Sequence, residues 1–412
     1  MIYLNNAATS YPKPEEVSKA AANVLSAPPP SRFRSNWEYA SEEYGTEPEL
    51  LSGNIEQLCR ENLARLFDIP SPDRIYFTSG ATEALNLAIL GFFRNTLPND
   101  NEGMRVSHHG PEKKGRYQGY KIVVTQTEHN AVLRTIYDGL SDKLAAGELY
   151  IEVVPCDESG YVDMDRMRSA VTEETAMVVV NHCSNVTGAV QDIVTIGQIA
   201  KANSAVYLVD ASQSAGALPF SVREAGIDLL AFTGHKALFG MQGTGGLYIR
   251  EGIRLRPVLF GGTGRDSAIM IPENPFYEVG TANLPGIASL LAGTDYVLKT
   301  GLTAINKKEK MLMTQLYGGL KGIPGVTVYA ARQPDGTALS FNMAVPPSDI
   351  GYILAESYGI IVRTGLHCAP FIHGALGTEK EGTVRVSISC MNEMEDIQAF
   401  LAAVKEISEG LQ

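Results

Sequence analysis

Short runs of Val, Ile and Leu recur through the long N-terminal part of the chain without the apolar and polar alternation of a strand that has one face in water. The clearest are "KIVVTQTEHN", "AMVVVNHCSN", "AVYLVDASQS", "LLAFTGHK" and "GGLYIR", and stretches with helical spacing separate them. Apolar strands alternating with helices predict a mostly parallel sheet covered on both faces, an α/β arrangement. Ligands of such sheets sit beyond the carboxyl ends of the strands. Here those ends carry His129, Asn185, Asp210, Gln213, His235 and Lys236.

After about residue 290 the pattern becomes helix-rich with fewer strands ("VTVYA", "ALSFNMAV", "GTVRVSIS"), which predicts a smaller α+β domain. At 412 residues the chain exceeds the size at which a single core usually stops growing. The expected division is an N-terminal segment over 1–20 packing near the small domain and the site, a large domain over 21–290, and a small domain over 291–412. Two polar stretches read as insertions: 26–51, with three consecutive prolines and the single tryptophan, and 98–120, too long and glycine-rich for an ordinary connection. The second is expected to be a lid, a partner site or a mobile loop. His108 and His109 within it lack a third ligand, so they read as solvated loop and no metal site is expected.

Charge and cysteine content narrow the function. Thirty-four basic against 46 acidic residues give a net charge of -12, which repels phosphate backbones and anionic lipid, so neither nucleic acid nor membrane is an expected partner. The opening "MIYLNNAATSYPKP" has no basic and apolar leader pattern, and no run of eighteen or more apolar residues occurs; a cytoplasmic protein is expected. Five cysteines without a CxxC pair argue against a disulfide framework or a zinc ribbon.

Three motifs carry chemistry. "TSGATEALN" reads as a strand end, a small-residue turn and a helix start, whose free N–H groups near Ala81 and Thr82 can hold an anion; alone it is equally an ordinary capped helix. "LVDASQSAG" and "FTGHKALFG" deliver an aspartate and a lysine to neighbouring strand ends. Taken singly, Asp210 reads as a helix cap and Lys236 as a surface lysine. Together they suit a Schiff-base lysine and a carboxylate that keeps a pyridinium nitrogen protonated, an attraction of roughly 4 kcal/mol at about 4 Å and an effective dielectric near 20. "RTGLHCAP" places Cys368 between Arg363, His367 and a proline, where either flanking group can supply positive charge or take up a proton.

In this order and spacing, "SGATEALN", "TEHN", "SNVTG", "VDASQSAG", "TGHK", "GTANLPGI", "RTGLHCAP" and "GTVRVSIS" resemble the cysteine desulfurase and selenocysteine lyase branch of the class V aminotransferases, over nearly the whole chain apart from the two insertions. The resemblance implies a fold-type-I homodimer dependent on pyridoxal 5'-phosphate, with a mostly parallel seven-stranded sheet and active sites at the subunit interface. It implies Lys236 as the Schiff-base lysine, Asp210 at the pyridine nitrogen, Gln213 at the phenolic oxygen and His129 stacked on the ring. Ala81, Thr82, Thr233 and His235 are implied at the phosphate, with Thr281 reaching over from the other subunit. Asn6, Asn185, Arg363 and Arg385 are implied around the substrate, with Asn185 and Arg385 gripping its carboxylate; Arg385 as a core-edge strand residue is the bland alternative. Cys368 is implied to take sulfur from L-cysteine as a persulfide, releasing L-alanine, and to pass it to an acceptor protein. The remaining cysteines, Cys59, Cys156, Cys183 and Cys390, read as buried filler. Three departures stand out: the histidine expected after the first helix is missing, the arginine role there falls to Arg32 or Arg34, and Asn5 stands where aspartate is usual. The alternatives are a selenocysteine lyase, an aminotransferase or C–S lyase in which Cys368 is incidental, and a persulfide relay component that docks an acceptor through 98–120.

Overall fold

The computed structural model describes residues 1–26, 55–96, 120–263, 268–330 and 332–411. The readings placed on 27–54, Arg32 and Arg34 included, and on 98–119 with His108 and His109, lie outside the described residues. Tyr120 differs from expectation: it opens a strand rather than closing an insertion.

A seven-stranded sheet forms the centre. Its strands are β2 (Ile75–Thr78), β3 (Tyr120–Thr125), β4 (Leu149–Val154), β5 (Thr175–Asn181), β6 (Val206–Asp210), β7 (Leu229–Thr233) and β8 (Gly245–Ile249), preceded in the chain by the short β1 (Ile2–Tyr3). They are ordered β2-β8-β7-β6-β5-β3-β4; β8 runs antiparallel to both neighbours and all other pairs are parallel. The strand sequences explain this. Successive side chains of β5 enter opposite cores: Val178 and Val180 join Val123, Val209, Leu230 and Phe232 on one face, while Met177 and Val179 join Ile122, Val124, Leu208 and Ala231 on the other. With helices over both faces, apolar residues are needed at odd and even positions alike, which is why alternation is missing. Each such Val, Leu or Ile contributes about 1.5–3 kcal/mol by leaving water.

The C-terminal part adds an antiparallel sheet of β9 (Thr327–Val328), β10 (Ala338–Asn342), β12 (Arg363–Gly365) and β13 (Thr383–Ser387), ordered β12-β13-β10-β9. The helices Leu302–Lys321, Pro347–Tyr358 and Met394–Gly410 cover it through Leu316, Leu320, Leu354, Phe400 and Val404, which meet Phe341, Val384 and Val386 of the sheet. β13 is an interior strand and Arg385 is buried within it. The sequence pattern left three very short strands unseen: β1, β11 (Ile360–Ile361) and β12. β1 pairs in parallel with β11, and Leu4 enters the C-terminal core. Farther on, Val17 of the helix Glu15–Leu25 packs with Val297 of the helix Leu284–Thr300. Residues 4–14 therefore run as a strap past the carboxyl ends of the central strands.

Gly245 lets β8 approach the turn before the helix Ala81–Thr96: an added Cβ would lie 2.6 Å from Gly80 Cα and 2.7 Å from Phe232 O. Gly245→Ala is expected to destabilise by about 1–3 kcal/mol through overpacking, read as a lower Tm. Gly318→Ala, on an exposed helical surface with nothing near the new methyl, is expected to stabilise by about 0.5–1 kcal/mol. Equal responses of the two variants in thermal unfolding would contradict the packing account.

Candidate active site

Beyond the carboxyl ends of the central strands lies a cavity of about 320 Å³. One end is built for an anion. The chain turns at Ser79 and Gly80 into the helix Ala81–Thr96, whose first-turn N–H groups at Ala81 and Thr82 cannot be satisfied within the helix. Glu83 folds back onto Ser79 N at 2.8 Å, capping the entry without occupying those donors. Thr82, Thr233, His235 and Gly243 line the same end. Dipole, free donors and hydroxyls together favour a phosphate.

In the middle, Asp210 closes β6 and is held by Ser212, whose N–H donates at 2.9 Å and whose hydroxyl also donates. Gln213 donates to Ala7 O at 3.0 Å, which anchors it to the strap. His129 caps the helix Asn130–Tyr137, its Nδ1 accepting from Ala131 N at 3.0 Å, so the ring proton belongs on Nε2. Burial pulls its pKa down to about 4 against the opposing pull of Asp210, leaving a neutral ring. Lys236 lines the cavity with protein packed around it. Burial lowers its pKa to about 8, with Asp210 raising it and Arg385 and Arg363 lowering it. A neutral amine is therefore accessible near physiological pH, the state in which lysine attacks a carbonyl.

The strap fixes this lysine from outside. The carbonyl of His235 accepts from Thr9 Oγ1 at 3.1 Å, Ser10 N at 3.1 Å, Ser10 Oγ at 3.2 Å and Lys13 Nζ at 3.2 Å. That peptide group carries Lys236, so its plane is set by hydrogen bonds from a distant part of the sequence.

At the other end, Arg385 donates to Asn185 O at 2.9 Å and to Asn5 Oδ1 at 3.0 Å. Its Nε and the Oδ1 of Asn185 are buried and lack a hydrogen-bond partner among the described residues. Cys368 lies beside Arg363, with Nη2 3.3 Å from Sγ. His367 and Cys368 both adopt left-handed backbone conformations, φ 50° and 60°, an arrangement costing about 1–3 kcal/mol per residue. Two bonds hold the turn: Asn185 Nδ2 to His367 O and Asn130 N to Cys368 O, each 2.7 Å. His367 does not supply charge to the thiol. Burial and the nearby guanidiniums drive its pKa to about 2, and its Nε2 lies 3.1 Å from Thr383 O, a scaffold contact.

Eleven of the expected residues line the cavity directly: Ala81, Thr82, His129, Asn185, Asp210 and Gln213 among them, with Thr233, His235, Lys236, Arg363 and Arg385. Asn6 does not; it is buried behind the wall, donating to Ser387 O and Asn392 Oδ1, both at 3.2 Å. Cys368 reaches the site through Arg363. Thr281 is exposed and outside this cavity. Cys59, Cys183 and Cys390 are buried with thiols pushed up, to about 12 for the latter two, while Cys156 is only half-buried. Sequence reasoning passed over Ser212, Lys13 and Glu128. Ser212 was findable as the second residue after an aspartate in a turn. Glu128 is fully buried, accepting from Thr125 Oγ1 and Asn181 N, and burial raises it to about 8; only its neighbour His129 hinted at it.

This donor set fits pyridoxal 5'-phosphate: first-turn N–H groups and hydroxyls at one end for the phosphate, a buried carboxylate, and a half-buried amine whose pKa its surroundings lower.

Comparisons with known proteins identify the family. Residues 2–400 match the model of the family described as aminotransferase class-V, enzymes that depend on pyridoxal phosphate in general. A protein of Methanothermobacter thermautotrophicus named probable cysteine desulfurase is 34% identical, the match covering 85% of this chain and 83% of that one. The cysteine desulfurase IscS of Methanosarcina thermophila is 30% identical over 82% of this chain and 78% of its own. Among solved structures, the apo cysteine desulfurase of Thermococcus onnurineus superimposes with a TM-score of 0.81 at 29% identity, covering 99% of this chain and 95% of that one. With residues 2–400 matched by the family model and the fold superimposing on a solved cysteine desulfurase, this chain belongs to the aminotransferase class-V family, on the side of its cysteine desulfurases.

Proposed function

We propose that this protein is a pyridoxal-phosphate-dependent cysteine desulfurase that converts L-cysteine to L-alanine and leaves the sulfur as a persulfide on Cys368. The observation that carries the reading is the pairing of Cys368 with Arg363 on a strained, doubly anchored turn at the same cavity as Lys236. A filler cysteine needs neither. Relatives named cysteine desulfurase support the choice over an aminotransferase.

In this reading the N–H groups of Ala81 and Thr82 would hold the cofactor phosphate with Thr82, Thr233 and His235, and Lys236 would hold the cofactor covalently. Asp210 would hold its ring nitrogen, Gln213 its phenolic oxygen and the neutral His129 its ring. Once bound, the cofactor supplies an electron sink that weakens bonds at the substrate's α and β carbons. The protein does the rest. Arg385 and Asn185 orient the substrate by its carboxylate, Asn6 holds the strap behind them, and Lys236, with a pKa near 8, can both take and return a proton at the substrate carbon. The thiolate of Cys368, held by the Arg363 guanidinium, attacks the substrate sulfur. The C–S bond breaks, an S–S bond forms, and the substrate β carbon gains a proton to become the methyl of alanine. Mass balances: cysteine and a thiol give alanine and a persulfide.

The same proposal takes the active form as a cytoplasmic homodimer in which Thr281 of one subunit completes the phosphate site of the other. Its exposed position supports that arrangement. Among the described residues no helix is long and apolar enough to cross a membrane. A sulfur-acceptor protein is the proposed partner, and its docking through 98–120 concerns residues that, Tyr120 apart, lie outside those described.

The loaded protein with a thiol reductant is expected to form alanine and sulfide in equal amounts from L-cysteine. Cys368→Ala should lower that rate by about a thousandfold or more, as loss of a nucleophile does, while cofactor absorbance stays. Full turnover by the variant would remove Cys368 from the mechanism, and turnover of selenocysteine alone by the wild type would reassign the substrate.

Borohydride reduction should fix the cofactor to the peptide containing Lys236, and Lys236→Ala should retain no cofactor after reduction and denaturation. Label on any other lysine would contradict the assignment.

A further inference from the structure

Among the described residues, neither arginine at the substrate end has a carboxylate partner. Arg385 is 1% exposed, yet among the described residues its partners are the neutral Asn185 carbonyl and Asn5 Oδ1, and Nε has none. Arg363 lies near enough to repel it, and the contact of Arg363 is the Cys368 sulfur. Among the described residues no aspartate or glutamate forms an ion pair with either guanidinium; Asp210 lies toward Lys236 and His129, which both feel its charge. Burying a cation without a counter-ion is costly, and a carboxylate beside it is the usual remedy. The chain stops one substitution short of that remedy. Asn5 Oδ1 already sits 3.0 Å from Arg385 Nη2, and its backbone is set by a bridge to Ser387 and by the adjoining bond from Asn6 N to Ser387 O, so an aspartate there would reach Arg385 without rearrangement.

We propose that Asn5 sets the affinity of this site for carboxylate-bearing amino acids: as a neutral acceptor it aims the Arg385 guanidinium but leaves its charge to be neutralised by the substrate. Asn5 is thus a positioning residue, acting through Arg385. The site is held in an under-compensated state when empty, and the missing anion arrives with the ligand. A carboxylate at position 5 would complete the ion pair internally, stabilising the empty protein and competing with substrate. The inference rests on the reading of Arg385 as the carboxylate grip.

The test compares Asn5→Asp, Asn5→Ala and wild type, all loaded with cofactor. Asn5→Asp is expected to raise KM for L-cysteine about tenfold or more with kcat within about twofold, because the lost interaction is made equally in ground and transition states. It should weaken binding of the unreactive product L-alanine, followed through cofactor absorbance, by a similar factor, and raise the Tm of the substrate-free protein. Asn5→Ala, which removes the hydrogen bond without adding charge, should lower the Tm and shift KM less. If L-cysteine is not turned over by the wild type but L-alanine binds and is weakened by Asn5→Asp, the desulfurase reading fails and this one stands. Equal effects of the Asp and Ala variants on L-alanine binding, or a lower Tm for Asn5→Asp, would reduce Asn5 to a structural contact and overturn the proposal.

Discussion

A buried guanidinium organises this molecule. Arg385 lies in an interior strand of the C-terminal sheet, but its hydrogen bonds end on Asn185, from the loop after β5, and on Asn5, from the N-terminal strap. A cation that far from water needs hydrogen-bond partners. Those at Nη1 and Nη2 bind three distant stretches of sequence at one point, and the same stretches then shape the rest of the cavity. Asn185 reaches on to the His367 carbonyl, the strap to the Gln213 side chain and the His235 carbonyl. The Cys368 turn and the Lys236 peptide are thereby positioned from a common set of contacts.

Strain at that turn is consistent with its use. Two adjacent non-glycine residues with positive φ persist because hydrogen bonds from Asn185 and Asn130 over-determine them. The conformation directs the Cys368 sulfur toward Arg363 rather than into a core, as the proposed role requires. Cys59 and Cys183, with no exposed surface to speak of, are walled in by apolar neighbours, and burial raises their thiols accordingly.

Much of this was legible in the residues. The central sheet could be read because its strands are uniformly apolar, and the cavity because "VDASQSAG" and "TGHK" end such strands with side chains that have no place in a core. The small strands β1, β11 and β12 could not be read: at two or three residues they carry no period, and tertiary pairing alone makes them strands. The four-donor clamp on the His235 carbonyl escaped for a related reason, since a backbone acceptor leaves no signature in sequence. His367 was misjudged as a source of charge because its neighbours in sequence do not reveal that Arg363 and Arg385 crowd it in space. Asn6 likewise read as a substrate contact but proved to brace the wall.

The central claim is that sulfur from the substrate comes to rest on Cys368. It is tested most directly by exposing the cofactor-loaded protein to L-cysteine without reductant, trapping with an alkylating reagent, and mapping modified peptides by mass spectrometry. One additional sulfur atom on the peptide containing Cys368, absent from Cys59, Cys156, Cys183 and Cys390, is the result the account predicts. Alanine formed with no added sulfur on that peptide, or with the sulfur on another cysteine, would contradict it.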